Sequence, residues 1–259
     1  MRTGIQRIVD SLSLFLIEIG SMTGFTIKIF RQFFRPPLET KEIVRWMYVA
    51  GAKTLPLVGI TGFIMGLVLT LQSRPVLVNF GAELLLPSMI SISIIREISP
   101  VITALLCAGK ISSGFAAEIG SMKVTEQIDA MEVSGTNPMG FVVASRVLAT
   151  TIMVPILVII NDAIALIGSY IAASMYGVIS FRLFFLEAIK VLSFTDVIPA
   201  TIKTVIFGFF IGMIGCYKGY NAGHGTEAVG IAANSAVVAA SLSIFIIDLV
   251  AVQVVELLL

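Results

Sequence analysis

Arg96 and Glu97 stand side by side in an otherwise apolar run, and Asp248 lies deep inside another. Side chains of this kind can pair across helices, relay protons, or hold a charged group on a ligand. A lone charge at mid-bilayer costs roughly 2.5–3.5 kcal/mol on insertion scales, so such residues are expected to face protein or a watery cavity. Neighbouring residues on a helix point about 100° apart, so Arg96 and Glu97 need partners on other elements. Asp248 is one candidate partner for Arg96. Two readings stay open: an internal ion pair that fixes packing, and a polar patch beside a substrate cavity. Asp162 is a further charge in an apolar stretch, to which no role is assigned.

Other reaction centres find little support. Gly109-Lys110 is the only Gly-Lys pair, but Ala104 and Ile111 occupy positions where a phosphate-binding loop needs Gly and Ser or Thr. His224 is the sole histidine, set in NAGHG near Glu227, with no second His or Cys pair around it. A metal site and a Ser-His pair are therefore not expected, and His224 reads as loop surface. Cys107 and Cys216 both fall in apolar runs and read as packing residues.

The elements that carry these residues are membrane helices. The chain of 259 residues is 57% hydrophobic and 13% charged, with a mean hydropathy of +1.02. A crossing needs roughly 20 apolar residues. Runs at 54–73, 83–110, 146–182, 197–217 and 228–255 supply five, the third long or tilted. The composition leaves one membrane domain, 51–259, and no separate soluble catalytic domain. The net charge of +1, without a basic stripe, gives no reason to expect nucleic acid. Residues 1–50 mix Phe, Leu and Ile with Asp10, Glu18, Lys28 and Arg31, which suits an interfacial or elbow helix ended by Pro36-Pro37. The run 12–17 imitates a signal peptide, but Glu18 follows and no A-x-A site appears, so cleavage is not expected.

The segment up to Lys53 carries eight basic residues: Arg2, Arg7, Lys28, Arg31, Arg35, Lys41, Arg45 and Lys53. Five crossings place Lys110, Lys123, Arg146 and Lys218 on the same side, leaving Arg74, Arg182 and Lys190 opposite. The positive-inside rule then predicts a cytoplasmic N-terminus and an external C-terminus.

On the basic side lies EIGSMKVTEQIDAMEV, residues 118–133. As one helix it puts Glu118, Ser121, Thr125, Asp129 and Glu132 within an arc of about 80°. Ile119 and Met122 flank that stripe on one side, and Val124, Ile128 and Met131 on the other. A solvated acidic loop and a docking helix fit this geometry equally well. In the first crossing Gly62 and Gly66 form a GxxxG spacing, which allows close helix approach.

The run GKISSGFAAEIGSMKVTEQIDAMEVSGTNP resembles the cytoplasmic segment of the MlaE family, permease subunits of ATP-binding-cassette lipid transporters that work with MCE-domain proteins. GFIMGLVLTLQ (62–72), IIREISPVITALLCAGK (94–110) and GYNAGHGTEAVGIAANSAVVAAS (219–241) resemble the same family. The resemblance covers the chain from about Gly51 onward. It implies an all-α integral membrane fold with a coupling helix at about 115–133, in which Glu118, Met122, Thr125, Glu126, Asp129 and Met131 engage an ATPase. It also implies a homodimer, a P-loop ATPase that binds ATP and Mg, an MCE-domain partner, and an inner-membrane location. No cofactor is expected on this chain, and no catalysis. Arg96, Glu97 and Asp248 would then lie in or beside a cavity for phospholipid or a related lipid. The rival reading is a secondary transporter driven by protons or ions, against which no internal repeat is found. An intramembrane enzyme is a weaker rival, because only scattered carboxylates are present.

Overall fold

The computed structural model describes residues 4–33, 39–176 and 179–258. These residues form helices and turns, with no strand among them. Among the described residues five segments are long and apolar enough to cross a bilayer: Thr40–Asn79, Glu83–Val124, Met139–Ser174, Phe194–Tyr220 and Thr226–Leu257. The chain is an all-α, multi-pass membrane protein.

Helix α1 (Gly4–Phe33) precedes the first crossing. Its ending at Pro36-Pro37, expected from sequence, lies outside the described residues. Ile29 and Phe25 of α1 are buried, while Leu16, Ile17, Ile27 and Phe30 are exposed. The first crossing joins α2 (Thr40–Met47) through a π-helical turn at Tyr48–Ala52 to α3 (Leu55–Asn79). Its 40 residues would span about 60 Å, twice the thickness of a bilayer core. Part of the surplus is α2, whose Lys41, Glu42 and Arg45 suit water rather than lipid.

The second crossing runs through α4 (Leu86–Ser93), a π turn at Ile94–Ile98, α5 (Ser99–Cys107), a second π turn at Ala108–Ser112, and α6 (Ser113–Val124). Each π turn inserts a residue into the helix and turns the side chains that follow. A short α7 (Gln127–Val133) and a π turn at Met139–Ala144 lead into α8 (Ser145–Ser174). The expected third crossing, 146–182, is thus shifted toward the N-terminus. Its far end is a separate helix, α9 (Phe181–Lys190), whose Phe181, Phe184 and Phe185 cluster on Tyr170 of α8. Helices α10 (Phe194–Tyr220) and α11 (Thr226–Leu258) complete the fold.

Close approach holds the centre together. A Cβ added at Gly62 would overlap the Asn161 carboxamide oxygen, and one at Gly66 would overlap the Ala165 carbonyl oxygen. The α3–α8 crossing therefore brings backbone against backbone, where dispersion contacts and short polar bonds replace side-chain packing. Ser169 Oγ donates to the Gly66 carbonyl at 3.2 Å, and Asn161 Nδ2 donates to Ser99 Oγ at 2.8 Å. Asp162 lies next to Asn161, and its Oδ1 is buried without a partner among the described residues.

Candidate functional site

Three intramembrane charges meet on one lysine. Lys203, in the third turn of α10, is only 5% exposed, and its ammonium donates to Glu97 Oε2 at 2.8 Å and to Asp248 Oδ1 at 3.0 Å. Two carboxylates offset one ammonium, which is how buried charge is retained at tolerable cost. The π turn at Ile94–Ile98 carries both Arg96 and Glu97, and π turns are frequent where helices position functional groups.

Arg96 does not pair with Asp248, contrary to the sequence expectation. Its guanidinium lies 3.5 Å from Asp196 Oδ1, while Asp248 belongs to Lys203. The compact ammonium of Lys203 takes both Glu97 and Asp248, so Asp248 is already paired and Arg96 meets Asp196 instead. Asp196 has a second duty. It completes a capping box with Ser193, whose backbone N–H donates to Asp196 Oδ2 at 3.1 Å. Arg96 is therefore anchored to the first turn of α10.

These residues line a cavity of about 430 Å³. Arg96, Glu97, Asp196 and Lys203 form its polar side; Ala251, Val252 and Val255 of α11 form an apolar wall, with the Glu256 carboxylate next to them. It sits at the end of the bundle where α10 begins and α11 finishes, opposite to α6 and α7. The volume falls in the range of ordinary ligand pockets. Its chemistry suits a molecule with a charged head and a hydrocarbon body.

The acidic segment is not one helix. Glu126 adopts a left-handed backbone, with φ of 58°, and separates α6 from α7. The single stripe expected for Glu118, Thr125, Asp129 and Glu132 is therefore broken, and α6 continues the second crossing. A non-glycine residue in this region is strained, which makes the break a built feature. Glu118 turns inward to Arg146, with Oε1 3.0 Å from Nη2. Met122 and Met131 pack on the core, and Ile128 is fully buried. Thr125, Glu126, Asp129 and Glu132 remain exposed. Lys123 clasps the break by donating to Asp129 Oδ1 at 2.7 Å, and Tyr220 donates to Glu132 Oε1 at 3.1 Å.

Helix α1 holds the neighbouring surface. Glu18 pairs with Lys218, Ser21 hydrogen-bonds Tyr217, and the Phe25 ring meets the rings of Tyr217 and Tyr220. Asn137, just after α7, donates to Gln32 at 2.9 Å. Lys110 of the second crossing donates to the Lys53 carbonyl of the first, tying the two together. His224 is exposed in the turn between α10 and α11.

Lys203, Asp196 and Arg146 were not singled out from sequence as site residues. A count of charges inside the apolar runs could have found Lys203, since Glu97 and Asp248 need a base. Arg146 reads as an ordinary flanking charge, and nothing in sequence marks it as buried.

The family model described as Permease MlaE matches residues 43–254. A probable ABC transporter permease protein of Rickettsia typhi is 36% identical over 232 residues, covering 90% of each chain. One from Synechocystis is 31% identical over 236 residues, covering 91% of this chain and 90% of that one. One from the alga Porphyra purpurea is 34% identical over 239 residues, covering 92% and 86%. With five crossings, a charged cavity and this likeness along nearly its whole length, the chain belongs to the MlaE permease family and is a permease subunit of an ABC transporter.

Proposed function

We propose that this permease moves phospholipid or a related lipid between the inner membrane and an MCE-domain partner, contributing to envelope lipid asymmetry. The observation that carries the reading is the cavity of about 430 Å³, with Lys203, Glu97, Arg96 and Asp196 on one side and alkyl groups of α11 on the other. A zwitterionic or anionic headgroup finds both signs of charge there, and acyl chains can leave along the apolar wall. The volume accommodates a headgroup, so the chains must lie against lipid or a second subunit.

A second copy of the chain is the natural complement. Val238, Leu242, Phe245, Ile246 and Leu249 of α11, the helix that also lines the cavity, are exposed in the single chain. A twofold pairing there would join two cavities and give ten crossings. ATP and Mg belong to a separate P-loop ATPase that docks on Thr125, Glu126, Asp129 and Glu132. Residues 51–259 form the permease body, with 1–50 an interfacial brace.

The test is to tag the chain in its native membrane, solubilise it gently, and identify co-purifying proteins and lipids by mass spectrometry. A P-loop ATPase, an MCE-domain protein and enriched phospholipid are the expected result. Recovery of the chain alone from several mild detergents would overturn the reading in favour of a self-sufficient, ion-driven carrier.

A further inference from the structure

One buried side chain joins the elements around the acidic segment. Arg146, the second residue of α8, is 3% exposed. Its Nη1 donates to the Val142 carbonyl at 2.8 Å, and its Nη2 meets Glu118 of α6 at 3.0 Å. The guanidinium lies 3.9 Å from the centre of the Trp46 ring, on α2. Trp46 in turn packs edge-on against Phe115 of α6 and donates to Glu42 Oε2 at 3.2 Å. A single guanidinium thus touches α2, α6 and the start of α8.

The arrangement is poor as a stabilising device. Arg146 Nε is buried and has no partner among the described residues. A half-satisfied buried cation costs more than an apolar side chain of equal volume. Its use is better explained by registry between moving parts, the best-attested role of buried ions. Geometry allows this. Glu118 is 44% exposed and sits on the rim of a groove of about 440 Å³, lined also by Glu42, Trp46, Met122 and Gln127. Glu42 adds a second negative charge to the surroundings of Arg146. Glu42 itself is held by Trp46 and Arg45.

We infer that Arg146 is a positioning residue: the joint through which displacement of α6 by the ATPase is passed to α8 and α2. This rests on the proposed ATP-driven reading. The exposed carboxylates provide the grip, and Arg146 transmits it. A joint of this kind explains why α6 is continuous with a crossing while α7 is set off by the break at Glu126.

The experiment uses the full permease assembled with its ATPase in nanodiscs of phosphatidylethanolamine and phosphatidylglycerol. Spin labels go on cysteines placed at Met175 and Leu257, exposed at the far ends of α8 and α11. Cys107 and Cys216 are fully buried and remain unlabelled. In the wild type, ATP should change the label-to-label distance. Arg146→Met should keep its melting temperature, its bound ATPase and an ATP hydrolysis rate within about twofold, while losing most of the distance change. Arg146→Lys should recover part of it, because lysine can meet Glu118 but cannot also reach Val142. A full distance change in Arg146→Met, or a loss matched only by loss of folded complex, overturns the inference. Should Arg146→Met fail to fold, Glu118→Gln gives the same test on a half-exposed side chain, and full movement there overturns it equally. No ATP-driven change in the wild type would instead sink the underlying transport reading, and the joint with it.

Discussion

An ammonium shared by two carboxylates is tolerable inside a membrane only while all three members are present. Removing Lys203 leaves Glu97 and Asp248 without their base. Lys203→Met should therefore destabilise the fold by about 2–3 kcal/mol, below the full cost of a broken buried pair because Glu97 is half-exposed. Lys203→Met with Glu97→Gln and Asp248→Asn should restore most of it, since no charge is then left alone. Thermal unfolding in detergent reads both. In the same assay Arg96 and Asp248 should show no coupling in a double-mutant cycle, and Lys203 and Asp248 more than about 1 kcal/mol. Apolar surroundings made Glu97 and Asp248 legible in the sequence, because a charge there always needs an account. Their pairing was not legible. It depends on the rotation of one helix against another, and the π turn at Ile94–Ile98 alters that rotation in a way a 3.6-residue period cannot reveal. Arg146 was hidden for a related reason: an arginine at the foot of a span looks like an interfacial anchor until Trp46 is seen to cover it.

Crossings were legible because hydrocarbon thickness demands long apolar runs, and each of the five runs contains most of a helix that could span. Their ends were not, since hydropathy marks where lipid stops while backbone hydrogen bonding continues into water. That is why α6 extends the second crossing, and why α2 precedes the first. The break between α6 and α7 was equally silent, because glutamate at position 126 carries none of the turn signals that Gly or Asn would give. What the break achieves is a division of labour. Core-facing Ile128, Met122 and Met131 seat the segment, the half-exposed Glu118 pairs with Arg146, and Glu126, Asp129 and Glu132 stay outside. Reversing those three outer charges to lysine should release the ATPase and leave the permease folded. The folded state loses only the exposed Lys123–Asp129 pair and the Tyr220–Glu132 bond, each about 1 kcal/mol or less. Co-purification reads the first effect and size-exclusion elution the second; ATPase retained by the triple variant would remove this account of the acidic surface.

Five crossings put the acidic helices and the cavity on opposite faces, so the molecule works only if each face meets the right compartment. If the ATPase docks on α6 and α7 as proposed, those helices lie on the side where ATP is. The lysines and arginines agree: Lys41, Arg45, Lys53, Lys110, Lys123, Arg146 and Lys218 gather at that end, against Arg74, Arg182 and Lys190 at the other. Two exposed positions report the orientation directly. Val133, at the end of α7, is 90% exposed, and Phe194, at the start of α10, is 84% exposed. The native cysteines are buried and give little background. In intact spheroplasts a membrane-impermeant thiol reagent should label Phe194→Cys at once, and Val133→Cys only after permeabilisation. The reverse pattern would place the cavity in the cytoplasm and the acidic surface outside, beyond the reach of any ATP-hydrolysing partner. Labelling in the expected order, by contrast, puts Lys203 and its carboxylates at the external end, where the proposed transfer to or from an extracytoplasmic partner would take place.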